Sequence, residues 1–130
     1  MSASKTALLI VAHGSTLPKS NQEVQRLVDE VRKISKDHFL HVDLGFLELA
    51  DPRISQSIDN LVEKGATTIK IFPYFLAAGS HVSADVPAII KKKQDQFDGQ
   101  GEKIKIELLD HLGIAKDMPD FLVKQVIKIS

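Results

Sequence analysis

The chain has 130 residues, enough to bury a core, and is read as one domain over 1–130. Lysine plus arginine and aspartate plus glutamate balance at 17 each, so no net field favours nucleic acid or an anionic membrane. There is no cysteine, which excludes disulfides, thiolate metal sites and a cysteine nucleophile.

Residues 6–12 are mostly apolar and partly β-branched, the pattern of a short strand buried on both faces. After His13-Gly14-Ser15, Ser20 and Glu23 have capping-box spacing, and Val24, Leu27, Val28, Val31 and Ile34 predict a helix over 21–35. Leu40, Val42, Leu44 and Phe46 alternate as a second strand that runs into Leu47-Glu48. Asp51-Pro52 reads as a helix start with proline at the first position. Ile54, Ile58, Leu61 and Val62 line that helix, and Gly65 is placed to end it. Thr68 to Phe75 is a third strand, with Pro73 near its end where a lost donor is tolerable. A loop at 77–81 precedes a lysine-rich helix over 84–97 and a turn at 98–101. Ile104, Ile106 and Leu108 alternate in a fourth strand, and a last helix covers 118–129. The order βαβαβαβα implies an α/β fold, a mainly parallel four-stranded sheet with helices on both faces. MSASK leads straight into a strand, and no apolar run approaches the roughly 18 residues of a membrane span, so a soluble cytoplasmic protein is expected.

In open α/β sheets ligands bind beyond the carboxyl ends of the strands. His13 follows the first strand, Glu48 the second, His81 the third and Asp110-His111 the fourth, which predicts one shared rim. A single loop histidine is most often a surface residue, but two imidazoles with a carboxylate suit a first-row divalent metal. An unperturbed imidazole at neutral pH is mostly neutral, able to ligate or to accept a proton. Gly14 and Gly79 would let backbone approach a bulky ligand. Asp85 is close enough in sequence to orient His81. Phe46, Phe72, Tyr74 and Phe75 cluster near the rim, mostly as core, with one or two free to pack on a flat ligand. His38 and His41 lie away from it, and Lys91-Lys92-Lys93 reads first as a solvated helix face.

The AHGS after the first strand, FLELADP at 46–52, IFPYFLAAGSHVSADVP at 71–87 and Leu112-Gly113 together carry a family resemblance. The chain resembles the small class II chelatases of the CbiX type, the sirohydrochlorin cobaltochelatases, over nearly its whole length. His13 and His81 fall on the family's histidine pair for metal binding and proton movement, and Glu48 on the acidic position beside them. That resemblance implies insertion of a divalent metal, Co2+ first and Ni2+ or Fe2+ otherwise, into sirohydrochlorin in tetrapyrrole and cobalamin biosynthesis. The metal enters as substrate, and no tightly bound cofactor is implied. Ser15, Gly79, Ser80, Asp85 and Arg53 fall at the substrate edge, where Arg53 or the lysines at 91–93 would receive substrate carboxylates. Family members often have a basic residue where this chain has Thr16, and a proline where it has His111. Both departures bear on which tetrapyrrole or metal is used. The family's longer members carry two such units with the site between them, which implies a homodimer for a single unit.

Other readings are weaker on the residues themselves. Histidine phosphatases place an arginine before the nucleophile, where this chain has Ala12. No G-x-S-x-G is present to suggest a serine hydrolase. A metal or tetrapyrrole carrier that binds without inserting remains the non-enzymatic alternative.

Overall fold

TALLIVA forms β1 (Thr6–Ala12) in the computed structural model, which describes residues 5–127 apart from the side chain of His81. It is followed by α1 (Pro18–Ile34), β2 (Val42–Phe46), α2 (Ile54–Glu63), β3 (Thr68–Pro73), α3 (Ser80–Gly99) and β4 (Lys105–Leu108). A single 3-10 turn at Leu112–Ile114 then leads to α4 (Met118–Ile127). Every strand pair is parallel, and the order across the sheet is β2-β1-β3-β4.

β1 is central, and both of its faces are covered. Ala7, Leu9 and Val11 pack with Ile54, Ile58 and Leu61 of α2 and Val86, Ile90 and Phe97 of α3. Ile10 and Ala12 turn the other way, onto Val28 of α1 and Val42, Leu44 and Phe46 of β2. A parallel strand buried on both sides has no polar face to show, which explains the unbroken apolar run. Gly45 lets α2 settle close on β2: a Cβ there would lie 3.1 Å from the Ile54 Cα. Ser57, 2% exposed, donates from Oγ to the Leu44 carbonyl at 2.7 Å, so the one buried hydroxyl of α2 is satisfied.

A side chain bonds the backbone at the start of each edge strand. Arg32 donates Nε and Nη2 to the Val42 carbonyl at 3.1 and 2.7 Å on β2. On β4, Gln94 accepts from the Ile106 amide at 2.9 Å and donates to the Ile104 carbonyl at 2.7 Å. Such groups blunt the edges against pairing with another strand.

Several boundaries differ from the sequence expectation. Pro18 begins α1 with Leu17 as N-cap, so Ser20 lies inside the helix and caps nothing; the preset φ of proline moves the start forward. The Asp51–Pro52 peptide is cis and outside α2: the Pro52 carbonyl accepts from the Phe46 amide at 2.8 Å, and the helix waits until Ile54. Gly65 does end that helix, at φ 101°. β3 stops at Pro73, short of Phe75, and β4 begins only at Lys105. α3 starts at Ser80, four residues early, and carries Pro87 in its interior. The expected end of the last helix, 128–129, lies outside the described residues. Lys93 is not on a solvated face: it is buried, bonded to Asp59 of α2 at 2.6 Å and Gln96 at 2.9 Å.

Candidate metal and substrate site

The chain leaves β1 for β2 in one direction across the sheet and reaches β3 on the other side, so the switch point lies between β1 and β3. Crevices open at such points, beyond the strands' carboxyl ends. His13 is the first residue past β1 there, and the segment after β3 carries the backbone of His81 into the first turn of α3.

Glu48 arrives by continuation of the β1–β2 pairing beyond both strands. The Leu47 amide donates to the Ala12 carbonyl at 2.9 Å, and the Glu48 amide to the His13 carbonyl at 3.1 Å. Gly14 crosses this junction at φ 95°, and a Cβ on it would overlap the Glu48 carbonyl oxygen. The neighbouring backbone is therefore reason enough for a glycine at this position. Leu49 turns the chain away at φ 68°.

The ladder brings the two side chains together: His13 Nε2 lies 3.3 Å from Glu48 Oε2, both a little under half exposed. The other ring nitrogen, Nδ1, is 3.2 Å from the Gly14 carbonyl. Both ring nitrogens thus face an oxygen acceptor, the Gly14 carbonyl at Nδ1 and the Glu48 carboxylate at Nε2. A ring so held can bind a metal ion or take a proton at Nε2, and a proton taken there is donated on to the carboxylate.

A hollow of about 220 Å³ adjoins the pair, lined by His13, Gly14, Ser15, Ser20, Asn21, Phe46, Tyr74 and Phe75 among others. Ser15 is where expected, and its backbone is clamped by Asn21, which the sequence reading did not single out. Asn21 accepts from the Ser15 amide at 3.0 Å and donates to its carbonyl at 2.8 Å. An asparagine six residues downstream gives no local signal; only the fold of the loop back onto α1 pairs them. Tyr74 and Phe75 line the hollow as expected, whereas Phe72 belongs to a separate apolar hollow on the α1 face.

The remaining candidates spread along the rim. Gly79 caps α3, Ser80 opens it, and Asp85 lies one turn after His81 on the same helix. The His81 side chain, called as a ligand, lies outside the described residues. Arg53 caps α2, exposed, with Nε donating to the Ala50 carbonyl at 3.1 Å. Asp110 and His111 line a second hollow of about 200 Å³ with Ser83 and Pro87. Lys93 is turned inward and out of reach of any substrate, while Lys91 is exposed and paired with Asp95 at 2.9 Å. His38 is exposed, and the His41 carbonyl bonds the Leu8 amide, away from the rim. Among the described residues no three metal-binding side chains converge. No described helix is long and apolar enough to cross a membrane.

Gly113 also escaped the sequence reading as a structural element of the site. Its amide donates to the Phe75 carbonyl at 3.0 Å, and a Cβ there would overlap the Leu76 carbonyl. The 3-10 turn is therefore docked directly on the segment between β3 and α3.

The CbiX family model matches residues 7–129. A sirohydrochlorin cobaltochelatase of Sulfolobus acidocaldarius is 32% identical over 121 residues, 93% of this chain and 89% of that protein. One from Methanocaldococcus jannaschii is 34% identical over 92 residues, 71% of this chain and 63% of the relative. A CbiX protein from Marinobacter aquaeolei VT8 has the same fold, with a TM-score of 0.77, 22% identity, and coverage of 95% and 94%. The sirohydrochlorin chelatase SirB of Bacillus subtilis, solved with cobalt, gives a TM-score of 0.78 at 25% identity. The match covers 95% of this chain but only 50% of SirB.

Proposed function

The chain belongs to the CbiX family, and from that premise we propose that it inserts a divalent metal ion, Co2+ first, into sirohydrochlorin. It is a metal chelatase, and the metal is a substrate. The observation that carries the reading at the level of residues is the His13–Glu48 pair, 3.3 Å apart at the switch point of the sheet.

Insertion exchanges two pyrrole N–H protons for one M2+, so the site must deliver a metal and accept protons. His13 can do each in turn with one electron pair. While Nε2 holds the metal it cannot take a proton; once the metal passes to the macrocycle, Nε2 is free to accept one. The resulting imidazolium is held by the Glu48 carboxylate. We assign the second acceptor to His81, with Asp85 one turn on to orient it. Ser15, Gly79, Ser80 and Arg53 are assigned to the substrate edge, Arg53 as a cation for one carboxylate.

A hollow of about 220 Å³ is smaller than the roughly 300–1,000 Å³ of sites that enclose their ligands, and a tetrapyrrole exceeds it. This supports a cleft completed by a second copy, a homodimer acting in the cytoplasm.

The test is the visible spectrum of sirohydrochlorin with Co2+ over time, for wild type, His13→Ala and His81→Ala. Conversion by wild type, lost in both variants, establishes the activity and the pair; repetition with Ni2+ and Fe2+ ranks the metals. Stoichiometric binding without acceleration would make the protein a carrier instead.

A further inference from the structure

The loop that carries His13 is fixed from two directions. On one side the Glu48 amide donates to the His13 carbonyl. On the other, Asn21, in the first turn of α1, engages both backbone groups of Ser15. Its Oδ1 accepts from the Ser15 amide at 3.0 Å, and its Nδ2 donates to the Ser15 carbonyl at 2.8 Å. Asn21 and His13 also line the same hollow.

The Ser15 amide shares a peptide plane with the Gly14 carbonyl, and that carbonyl lies 3.2 Å from His13 Nδ1. The peptide is trans, so its N–H and C=O point in opposite directions. Anchoring the amide on Asn21 therefore sets the direction of the carbonyl that meets the imidazole. The plane needs an anchor, because Gly14 at φ 95° has no Cβ to resist its rotation. We propose that Asn21 is a positioning residue for metal insertion, acting on His13 through the Gly14–Ser15 peptide. The inference deepens the chelatase reading above and rests on it.

A metal ion bound at Nε2 requires the ring proton on Nδ1, and that proton needs an acceptor held in place. An oxygen behind a metal-binding histidine fixes the ring and raises its basicity. Support from the Nδ1 side leaves Nε2 free to exchange metal for proton beside Glu48. A tether with no bearing on the ring would stabilise the loop and leave the imidazole unmoved.

The test compares the full chain with Asn21→Ala and Asn21→Asp. Alanine loses both bonds to Ser15, whereas aspartate keeps an acceptor for the Ser15 amide and loses only the donor. The first readout is the imidazole nitrogen NMR spectrum of isotope-labelled protein without metal, with His13 assigned by its loss in His13→Ala. Asn21→Ala should shift the His13 ring signals and leave those of His38 and His41 in place. Asn21→Asp should hold the His13 signals near their wild-type positions, even where it lowers the melting temperature. The second readout is Co2+ insertion into sirohydrochlorin. Asn21→Ala should lower kcat by about 10–100-fold with the KM for sirohydrochlorin unchanged, and Asn21→Asp should recover most of the rate. Wild type decides independently, should alanine fail to fold: its Ser15 amide should exchange slowly with deuterium, and exchange at the rate of a free peptide would overturn the proposal. Unmoved His13 signals in Asn21→Ala, a rise in KM with kcat intact, or aspartate failing as badly as alanine would each overturn it too. Insertion by wild type with an unmoved ring in Asn21→Ala overturns the role of Asn21 alone. Ring signals that move as expected in a protein that inserts no metal overturn the chelatase reading alone.

Discussion

Gly14 runs so close beneath Glu48 that the carbonyl oxygen of Glu48 occupies the space a β-carbon on residue 14 would need. The two loops that carry His13 and Glu48 are therefore held in contact by backbone, through the amides of Leu47 and Glu48. Gly14→Ala should force them apart and also place alanine at φ 95°. A loss of about 1–3 kcal/mol is expected, with metal insertion reduced more than the residual folded fraction accounts for. Urea denaturation and single-turnover metallation, measured on the same sample, would reveal whether the two losses separate.

His13 and Glu48 are exposed enough that their side chains contribute little to folding. His13→Ala should leave stability within about 0.5 kcal/mol of wild type while lowering the metallation rate by about 10²–10⁴-fold. Glu48→Gln keeps the backbone bond to His13 and should lose less. Equal rates for wild type and His13→Ala would remove this residue from the chemistry.

Lys93 and Asp59 join α3 to α2, and Lys93 is the buried partner, its side chain 7% exposed against 49% for Asp59. Its ammonium also lies 5.2 Å from the centre of the Phe97 ring. Asp59→Ala leaves a buried cation short of its counter-ion and should cost about 1–3 kcal/mol. Lys93→Met, which removes the charge and keeps the stem, should cost less. Thermal melts of the two variants check the order, and the reverse ranking would count against the pair's burial.

Gly113 touches no candidate ligand, yet Gly113→Ala pushes the 3-10 turn off the Leu76 carbonyl. The expected cost is about 1–3 kcal/mol, as for other overpacked contacts. Because the displaced segment leads into α3, insertion should fall even where the protein remains folded. Circular dichroism with metallation kinetics at low temperature makes the comparison.

Much of this architecture can be read from the residues in order. β1 is legible because the six apolar residues after Thr6 have one economical fate in a parallel sheet, and Gly65 marks the end of α2 by its need for positive φ. The rim follows from topology, since whatever leaves β1, β2 and β3 emerges on the same side. Less legible is anything set by distant backbone. Ser20 and Glu23 look like a cap, but Pro18 already starts the helix. Asp51-Pro52 looks like a helix start, but Pro52 is held by the Phe46 amide. The inward turn of Lys93 depends on Asp59, 34 residues away, and a run of three lysines gives no hint of which one is buried. Asn21 and Gly113 act through contacts that only the folded chain brings together.

The central position of β1 has a bearing on how the protein is made. Leu8 finds one neighbour in Val42 and the other in Lys70, so β1 is completed only when β3 has emerged. Pairings this distant in sequence are slow to form, because loop closure must come before the contacts that reward it. On the ribosome the strand would wait, apolar on both faces, for roughly half the chain. His13 is translated before β3, but the crevice it belongs to cannot exist until β3 has been inserted beside β1.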